Sequence, residues 1–336
     1  MILNKKSFKS LFYGFFSILL LTTGLVGCST EEANNNAKEK QQTTTAQNTS
    51  TQETSTQNSN NNKALKIAFP SRSDSTDLET KAKAVADFLS KELGTQVEAL
   101  VGDDTAAVEA LRANQVDVAF LSSRPSLKAE QLANANLYLA EVRANYSGKF
   151  TYNSVFVVPV DSKLQAKTTP KETLEQLRGK KIAFTSPTSG SGFIFPIGEL
   201  VKQGFVTNRD KLDGFFGQVN YGGNYAKALQ AVLKGQAEVA AVSEYALKPP
   251  YITEEEGKKL RILHAIPNVP AHGVAIDDDV SPETREKLVT AMLKLNQPEN
   301  NQLLKNLYNS TELVKVEHQK HLQPMRDALK NAGMEP

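Results

Sequence analysis

The sequence predicts an α/β fold made of two lobes with a hinge between them, in which two mainly parallel sheets are flanked by helices. Short apolar strand patterns alternate with amphipathic helix patterns over about 270 residues, as in successive βαβ units. No tandem repeat of solenoid period interrupts this alternation. Two segments, at 154–165 and 272–283, share one pattern of a strand followed by an acidic turn. Such strands are expected where a chain crosses between two lobes.

The first part of the globular body contains the first strands and helices. Its strand patterns are short, buried apolar runs, and its helix patterns place apolar residues three and four apart. The predicted strands are ALKIAF at 64–69, QVEALV at 96–101 and VDVAFLSS at 116–123, with helices at 77–93 and 105–114.

The same alternation continues in the second part. We expect a first lobe from residues 63–153 plus 275–336 and a second lobe from residues 154–274. The predicted strands here are SVFVVPV at 154–160, KKIAF at 180–184 and EVAAVSE at 238–244, with helices at 173–179, 198–204 and 225–235.

The N-terminal segment predicts export. Residues 1–27 combine a short basic start with an apolar run, and polar sequence follows at once, as in a secretory signal peptide. Leu25-Val26-Gly27-Cys28 resembles the lipobox of bacterial lipoproteins, which implies cleavage before Cys28 and lipidation of its sulfur. A plain signal peptide with a chance cysteine is the alternative. Residues 28–62 lack large apolar side chains and are expected to form a disordered tether.

Composition excludes several functions. Cys28 is the one cysteine, so the folded part has no disulfide, zinc–thiolate site or thiol nucleophile. Without the three lysines of the signal, 36 basic residues face 37 acidic ones, a net charge of about −1. This balance gives no reason to expect nucleic acid as a partner, and contact with the membrane is expected through the lipid anchor only.

The stretch FTSPTSGSGFIFP, at 184–196, lies between a predicted strand and a predicted helix. Ligands of open α/β sheets bind beyond the carboxyl ends of strands, where helix N-termini carry unpaired N–H groups and partial positive charge. Glycines 190 and 192 allow close approach to the backbone, and Ser189 and Ser191 add hydroxyl donors. An anion site is therefore one interpretation, and a simple serine N-cap is the other.

Other loop motifs do not fit this stretch. It lacks the GK[ST] of a nucleotide P-loop and the third glycine of a dinucleotide fingerprint. Ser191 has Ser189 and Phe193 where a nucleophile elbow needs glycine.

The segment SPTSGSGFIFP resembles the D-P-x-S-x-S-G-x-x-x-P segment of phosphate/phosphite/phosphonate-binding proteins of ABC importers. The similarity extends over most of residues 66–295, including VEALRANQVDVAFLSS, FTYNSVFVVPVDS and LQAVLKGQAEVAAV in the family's order. It implies a type II periplasmic-binding-protein fold and a monomeric, non-enzymatic protein without a cofactor. Such a protein delivers a small phosphorus oxyanion to a permease and ATPase complex.

The resemblance also implies site residues. Ser189, Gly190 and Ser191 match the helix start that cradles the oxyanion. Tyr152 matches a tyrosine whose hydroxyl reaches the ligand, and Glu244 an acidic position near the ligand's far side. By residue type alone, Tyr152 could equally be a packed strand residue and Glu244 a solvated or capping one. A glutamate beside an anion suggests that it accepts a proton carried by the ligand, so that affinity falls as pH rises.

Three positions depart from the family pattern. Thr105 replaces a common tyrosine, Asn224 a common histidine, and His272 a common aspartate. Threonine and asparagine keep hydrogen-bond donors, whereas loss of the aspartate removes a partner for a ligand ammonium. This favours phosphate, phosphite or methylphosphonate over aminoalkylphosphonates. His272 is interpreted either as a hydrogen-bond donor to an oxygen of the ligand or as a structural residue.

Two other functions stay open at this stage. A hydrolase could use Ser189 or Ser191 with His272, although no aspartate identifies itself as the third member. A sensor accessory protein would have the same site and a different membrane partner. His318 and His321 are interpreted as solvated surface residues rather than metal ligands. Arg72 and Arg124 follow predicted strands and could reach the cleft, but are not included in the predicted site.

Overall fold

The fold is taken from a computed structural model, which describes residues 64–72 and 75–336. The predicted signal peptide at 1–27, the lipidation site Cys28 and the tether at 28–62 lie outside the described residues. Among the helices that are described, none has the length and apolar character needed to cross a membrane.

Strands in the described residues form two sheets. The first has the order β11-β4-β10-β3-β1-β2, and the second β7-β6-β8-β5-β9. In chain order the strands are β1 (Leu65–Pro70), β2 (Val97–Gly102), β3 (Val118–Leu121), β4 (Asn136–Val142), β5 (Thr151–Pro159), β6 (Lys181–Phe184), β7 (Gln218–Tyr221), β8 (Val239–Ser243), β9 (Leu260–Pro270), β10 (Gly273–Ile276) and β11 (Glu312–Lys315).

Helices cover both sheets. A π-helical turn, Gly190–Ile194, directly precedes the fifth helix, and short 3-10 turns lie at Glu244–Leu247 and Lys294–Asn296. The helices are α1 (Leu78–Leu93), α2 (Asp104–Arg112), α3 (Ser123–Ala133), α4 (Pro170–Glu175), α5 (Phe195–Lys202), α6 (Tyr225–Leu233), α7 (Glu254–Gly257), α8 (Pro282–Leu293), α9 (Asn301–Tyr308) and α10 (His318–Ala332).

Both sheets are mixed, whereas the sequence predicted mainly parallel ones. Strand β1 pairs in parallel with β2 and β3, and β6 with β7 and β8. In contrast, β10 runs antiparallel to β3 and β4, and β5 antiparallel to β8 and β9. Both β5 and β10 enter their sheet from the other sheet, and their apolar sequences carry no signal of strand direction. The predicted α/β character and the two sheets agree with the structure.

The core follows the apolar patterns of the sequence. In α1 the buried residues recur every three or four positions, as on one helix face, and pack beneath the first sheet with α8 and α9. A separate cluster joins α2 and α3 to the opposite face of that sheet. The second sheet has its own clusters on its two faces.

The last helix, α10, differs from the predicted organisation, in which residues 275–336 belong with the first lobe. Its apolar stripe, which includes Leu322, Met325 and Leu329, packs into the core of the second sheet. Contact with α5 is close, because a Cβ added at Gly198 would lie 3.1 Å from the Ala328 carbonyl oxygen. The lobe boundaries near 153 and 274 otherwise stay a prediction.

Two histidines fasten α10 to the rest of the molecule. The Leu137 backbone N–H of β4 donates to His318 Nδ1 at 2.7 Å, and His318 Nε2 lies 3.3 Å from Glu130 Oε2. His321 Nε2 is 3.1 Å from the Ala271 carbonyl oxygen, between β9 and β10. Both rings are buried, so their interpretation as solvated surface residues is wrong. They lie on the same helical stripe as Leu322 and Met325.

These histidines predict a pH-dependent stability. Burial lowers the pKa of both His318 and His321 below its ordinary value. The unfolded chain therefore binds protons more readily once the pH falls below about 6.5, and folding stability decreases there. We expect stability to be full above this pH and to fall by about 1 kcal/mol or more towards pH 5.

The measurement is urea unfolding at several pH values between 5 and 8. His318→Asn keeps an acceptor oxygen but cannot titrate, so its stability should fall less steeply with decreasing pH than that of the wild type. Equal slopes would exclude a contribution from His318.

Candidate ligand-binding site

A cavity of about 300 Å³ opens at the carboxyl ends of strands from both sheets. Ser71 and Arg72 follow β1, Ser122 follows β3, and Thr185 follows β6, and all four line this cavity. Ligands of open α/β sheets bind at this edge. The cavity is therefore the candidate site, and we call it the cleft.

Four helix N-termini meet at the cleft. It is lined by Asp104 at the start of α2, by Ser122 at the N-terminal end of α3, by Ser189 capping the turn before α5, and by Asn224 capping α6. The first N–H groups of a helix have no partners within the helix, and the helix dipole adds partial positive charge at the same end. Four such ends around one cavity favour an anion.

The helix start at Ser189 is held by its own side chain. Ser189 Oγ accepts from the Gly192 N–H at 3.1 Å, and the Ser189 carbonyl oxygen accepts from the Ile194 N–H at 2.9 Å. Ser189 and Gly190 both line the cleft, as the sequence predicted for this loop. Serine N-capping and an anion site are thus compatible, because the cap uses the N–H of Gly192 and leaves the first N–H groups of the turn to a ligand.

Ser191 turns away from the cleft. It is fully buried, and its Oγ lies 2.6 Å from Ser243 Oγ and 2.8 Å from Tyr225 Oη. Its carbonyl oxygen accepts from Ser154 Oγ at 2.7 Å. The Ser191 hydroxyl thus ties the helix start to β8 and α6, and the hydroxyl donor that the sequence suggested for a ligand is used inside the protein.

Tyr152 is a buried residue that forms part of the cleft wall. Its ring lies 5.1 Å from the rings of Tyr146 and Tyr245, and it lines the cavity. Burial raises the pKa of the Tyr152 phenol well above its ordinary value, so the group stays neutral and keeps a proton to donate.

Asn224 and His272 line the cleft, whereas Thr105 lies beside it, and their contact with a ligand stays a prediction. Asn224 Oδ1 accepts from the Lys227 N–H at 2.9 Å, which leaves its amide hydrogens as donors. Thr105 lines an adjoining cavity of about 340 Å³, and its neighbour Asp104 lines both cavities.

Both carboxylate oxygens of Glu244 accept hydrogen bonds from residues of the protein. Its Oε1 accepts from the backbone N–H groups of Ser147 and Asn153, each at 3.0 Å, and its Oε2 accepts from Asn153 Nδ2 at 2.8 Å. Glu244 thus fixes the chain that enters β5, and it is not among the residues that line the cleft. The idea that this carboxylate accepts a ligand proton loses its geometric basis.

The predicted site left out several polar residues that line the cleft, among them Arg72, Asp104, Ser122 and Arg124. The positions of Arg72 and Arg124, shortly after β1 and β3, were predicted from the strand patterns, but their roles were not. Arg72 is held by a carboxylate from β4: its Nη1 and Nη2 donate to Glu141 Oε2 and Oε1 at 2.9 and 2.7 Å.

The Arg124 guanidinium donates fewer hydrogen bonds within the protein than that of Arg72. Its Nη2 donates to the Glu335 carbonyl oxygen at 3.1 Å, and its buried Nε has no hydrogen-bond partner among the described residues. Burial lowers the pKa of Arg124, with a further contribution from the charge of Arg209, but a guanidinium remains protonated at neutral pH. Arg124 therefore brings a cation with spare donors to the cleft.

Two α/β sheets with a polar cleft at their strand ends are the arrangement of the periplasmic-binding-protein fold. A solved structure, PhnD1 from Prochlorococcus marinus in complex with methylphosphonate, matches the fold of this chain with a TM-score of 0.63 at 20% identity. The match covers 81% of this chain and 99% of that one. The predicted fold is thereby confirmed.

The chain belongs to the family described as "ABC transporter, phosphonate, periplasmic substrate-binding protein", which matches residues 67–321. It is 27% identical over 252 residues to the phosphonates-binding periplasmic protein of Escherichia coli, covering 73% of this chain and 70% of the relative. It is 24% identical over 233 residues to the phosphate-import protein PhnD of Mycolicibacterium smegmatis, covering 68% and 70%.

This membership confirms the predicted family and a substrate-binding, non-enzymatic function for an ABC transporter. It also implies an extracytoplasmic location.

Proposed function

We propose that this protein captures a small phosphorus oxyanion outside the cytoplasm and delivers it to an ABC permease and ATPase complex. Phosphate, phosphite and alkylphosphonates are the ligand class. The observation that carries the proposal is the convergence of four helix N-termini on one cavity. Relatives named for phosphonates and for phosphate, and a related fold that holds methylphosphonate, support the same class.

The ligand's oxygens would be held by groups from both sheets. The backbone N–H group of Gly190 and the Arg124 guanidinium supply charge complementarity, and Tyr152 and Asn224 supply neutral donors. His272 also lines the cleft, and Thr105 lines the adjoining cavity. Hydrogen bonds between charged partners contribute about 1.5–3 kcal/mol each. Closure of two lobes about a hinge would remove the remaining water from the anion.

Cys28 would anchor the protein to the membrane, with residues 28–62 as a flexible tether and the folded part as a monomer. Such a tether of 35 residues has a root-mean-square length of roughly 30 Å. This leaves the folded part free to reach a permease in the same membrane.

The test is isothermal titration of the unlipidated protein with phosphate, phosphite, methylphosphonate and aminoethylphosphonate. We expect stoichiometric binding of at least one of the first three, with aminoethylphosphonate weaker. Binding of none of the four would reject the proposed ligand class, and clear preference for aminoethylphosphonate would reject the choice within it.

Arg124→Ala is expected to weaken binding about tenfold, because it removes the cation with spare donors at the cleft. The matched control is Arg112→Ala, on α2 and paired with Glu109 on the exposed surface, which should bind like the wild type. Equal affinities of the Arg124 variant and the wild type would remove Arg124 from the site.

A further inference from the structure

The cleft, which is proposed to bind an anion, is lined by an acidic residue, Asp104. Asp104 is the first residue of α2 and lines both the cleft and the adjoining cavity, together with Ser122. The Ser122 hydroxyl donates to Asp104 Oδ2 at 2.8 Å. A carboxylate has about four acceptor sites, so this bond leaves acceptor capacity towards the cleft.

The two arginines that line the cleft with Asp104 form hydrogen bonds with other residues. Arg72, after β1, acts on the carboxylate by its charge, but both of its terminal nitrogens donate to Glu141. Arg124 lies on α3 across the same cavity, and Lys128, one turn later, lines the adjoining one.

The remaining titratable groups near Asp104 come from several elements. Asp103 and Glu109 lie on or beside the same helix, and the Asp103 side chain is used to cap it, accepting from the Ala106 N–H at 2.8 Å. Tyr308 of α9 and His272 approach from other elements. Asp104 therefore lies at the cleft among groups of both charges, and the two arginines there, Arg72 and Arg124, donate to Glu141 and to the Glu335 carbonyl oxygen.

We propose that Asp104 accepts a hydrogen bond from an acidic O–H group of the bound oxyanion, so that the protein selects ligands that still carry a proton. This inference rests on the proposed function of the cleft. An ionised Asp104 and an unprotonated ligand oxygen in contact would repel each other. A proton between these two oxygens instead gives a short, strong O–H···O⁻ hydrogen bond. Asp104 would thus take the role that the sequence analysis assigned to Glu244.

The environment of the carboxyl group is consistent with a shared proton. Loss of solvent raises the pKa of Asp104 above its ordinary value, against the opposing effects of the Ser122 hydrogen bond and the Arg72 charge. In the proposed complex the ligand supplies the proton, so the free carboxyl group is ionised and an anion without a proton is repelled.

Two consequences follow for selectivity. Sulfate carries no proton at neutral pH, so it should bind at least about a hundredfold more weakly than methylphosphonate. The affinity for methylphosphonate should fall about tenfold for each pH unit above its second ionisation, because the free ligand then loses the proton that the complex keeps.

The experiment is isothermal titration of the unlipidated protein with methylphosphonate and with sulfate between pH 6 and pH 9. Asp104→Asn keeps an oxygen for Ser122 and adds an N–H donor, so it should gain sulfate binding and lose the steep pH dependence. Asp87→Asn removes the same charge from an exposed ion pair on α1 and serves as the control. Thermal unfolding shows whether each variant is folded.

The outcomes separate the two proposals. If wild-type protein binds methylphosphonate with a flat pH profile, or binds sulfate as tightly, the role of Asp104 is refuted while the proposed function stands. This arm does not depend on the folding of any variant. If the wild type binds neither methylphosphonate nor another phosphorus oxyanion, both proposals are refuted.

Discussion

Replacing Glu141 with glutamine is expected to lower the free energy of unfolding at pH 7 by about 3 kcal/mol or more. The side chain is fully buried and accepts two hydrogen bonds from Arg72 and one, at 2.8 Å, from Ser310 Oγ. Glutamine has nearly the same volume, so the substitution removes the charge and leaves the packing. What remains is a buried guanidinium without its counter-ion, and that is the costly state.

The surroundings of Arg72 prevent it from escaping to solvent. Its Cζ lies 3.5 Å from the centre of the Tyr308 ring, and the Tyr308 hydroxyl donates to the Pro70 carbonyl oxygen at 2.8 Å. Strand β1 thus ends in a network that joins β4 and α9 and that lies against the cleft. Arg143 Nη2 also lies 3.7 Å from Glu141 Oε2, so this one carboxylate offsets the charge of two arginines.

Acid pH should erase much of this difference. Burial alone would raise the pKa of Glu141, but the charge and hydrogen bonds of Arg72 override it and lower the pKa to about 2. A carboxyl group with a lowered pKa stabilises the fold above its unfolded pKa of about 4.3, and this contribution is lost as pH falls from there towards 2. The gap between wild type and Glu141→Gln should therefore narrow below pH 4.

Urea unfolding at pH 7 and at pH 3 measures both effects. Glu312→Gln on β11 is the matched control, since Glu312 forms a partly exposed pair with Lys149 at 3.5 Å. It should cost less than about 1 kcal/mol. Similar losses for the two glutamine variants at pH 7 would show that the buried pair contributes no more than a surface one.

The sequence predicted the location of the site better than its chemistry. Local signals were sufficient for the helix starts at Ser189 and Asn224, because capping residues and glycines at a strand–helix junction determine local geometry. Tyr152 and His272 also line the cleft, and for these the family resemblance supplied what residue type alone left open.

Side-chain direction and long-range pairing were not predictable in the same way. Whether Ser191 faces the cleft depends on Ser243 and Tyr225, more than 30 residues away in the chain. Asp104 and Arg72 come together only after β1, β3 and α2 are assembled, so no local pattern could distinguish them from surface residues. The burial of His318 was the avoidable error, because it shares a helical stripe with Leu322 and Met325.

Replacing Gly192 with alanine should cost about 3 kcal/mol of stability and reduce anion binding, because a Cβ there has no room. It would lie 2.1 Å from Thr185 Oγ1, 2.4 Å from Thr185 Cβ and 2.8 Å from Ser189 Oγ. A rotation of Thr185 about χ1 could move its hydroxyl but not its Cβ. Either the end of β6 or the start of the turn at Gly190 must shift, and both line the cleft.

The clash can be tested by removing the Thr185 side chain, with which the added Cβ collides. Thermal unfolding and methylphosphonate titration of Gly192→Ala, Thr185→Gly and the double variant form a cycle, in which the double variant should be less destabilised than the sum of the two single changes. Gly214→Ala is the control, since its nearest atom, the Lys211 carbonyl oxygen, lies 3.8 Å from the added Cβ. Strict additivity would contradict the clash with Thr185. Because the Thr185 N–H donates to the Gly192 carbonyl oxygen at 3.1 Å, positive coupling would show that strand and helix start position the anion's N–H donors as one unit.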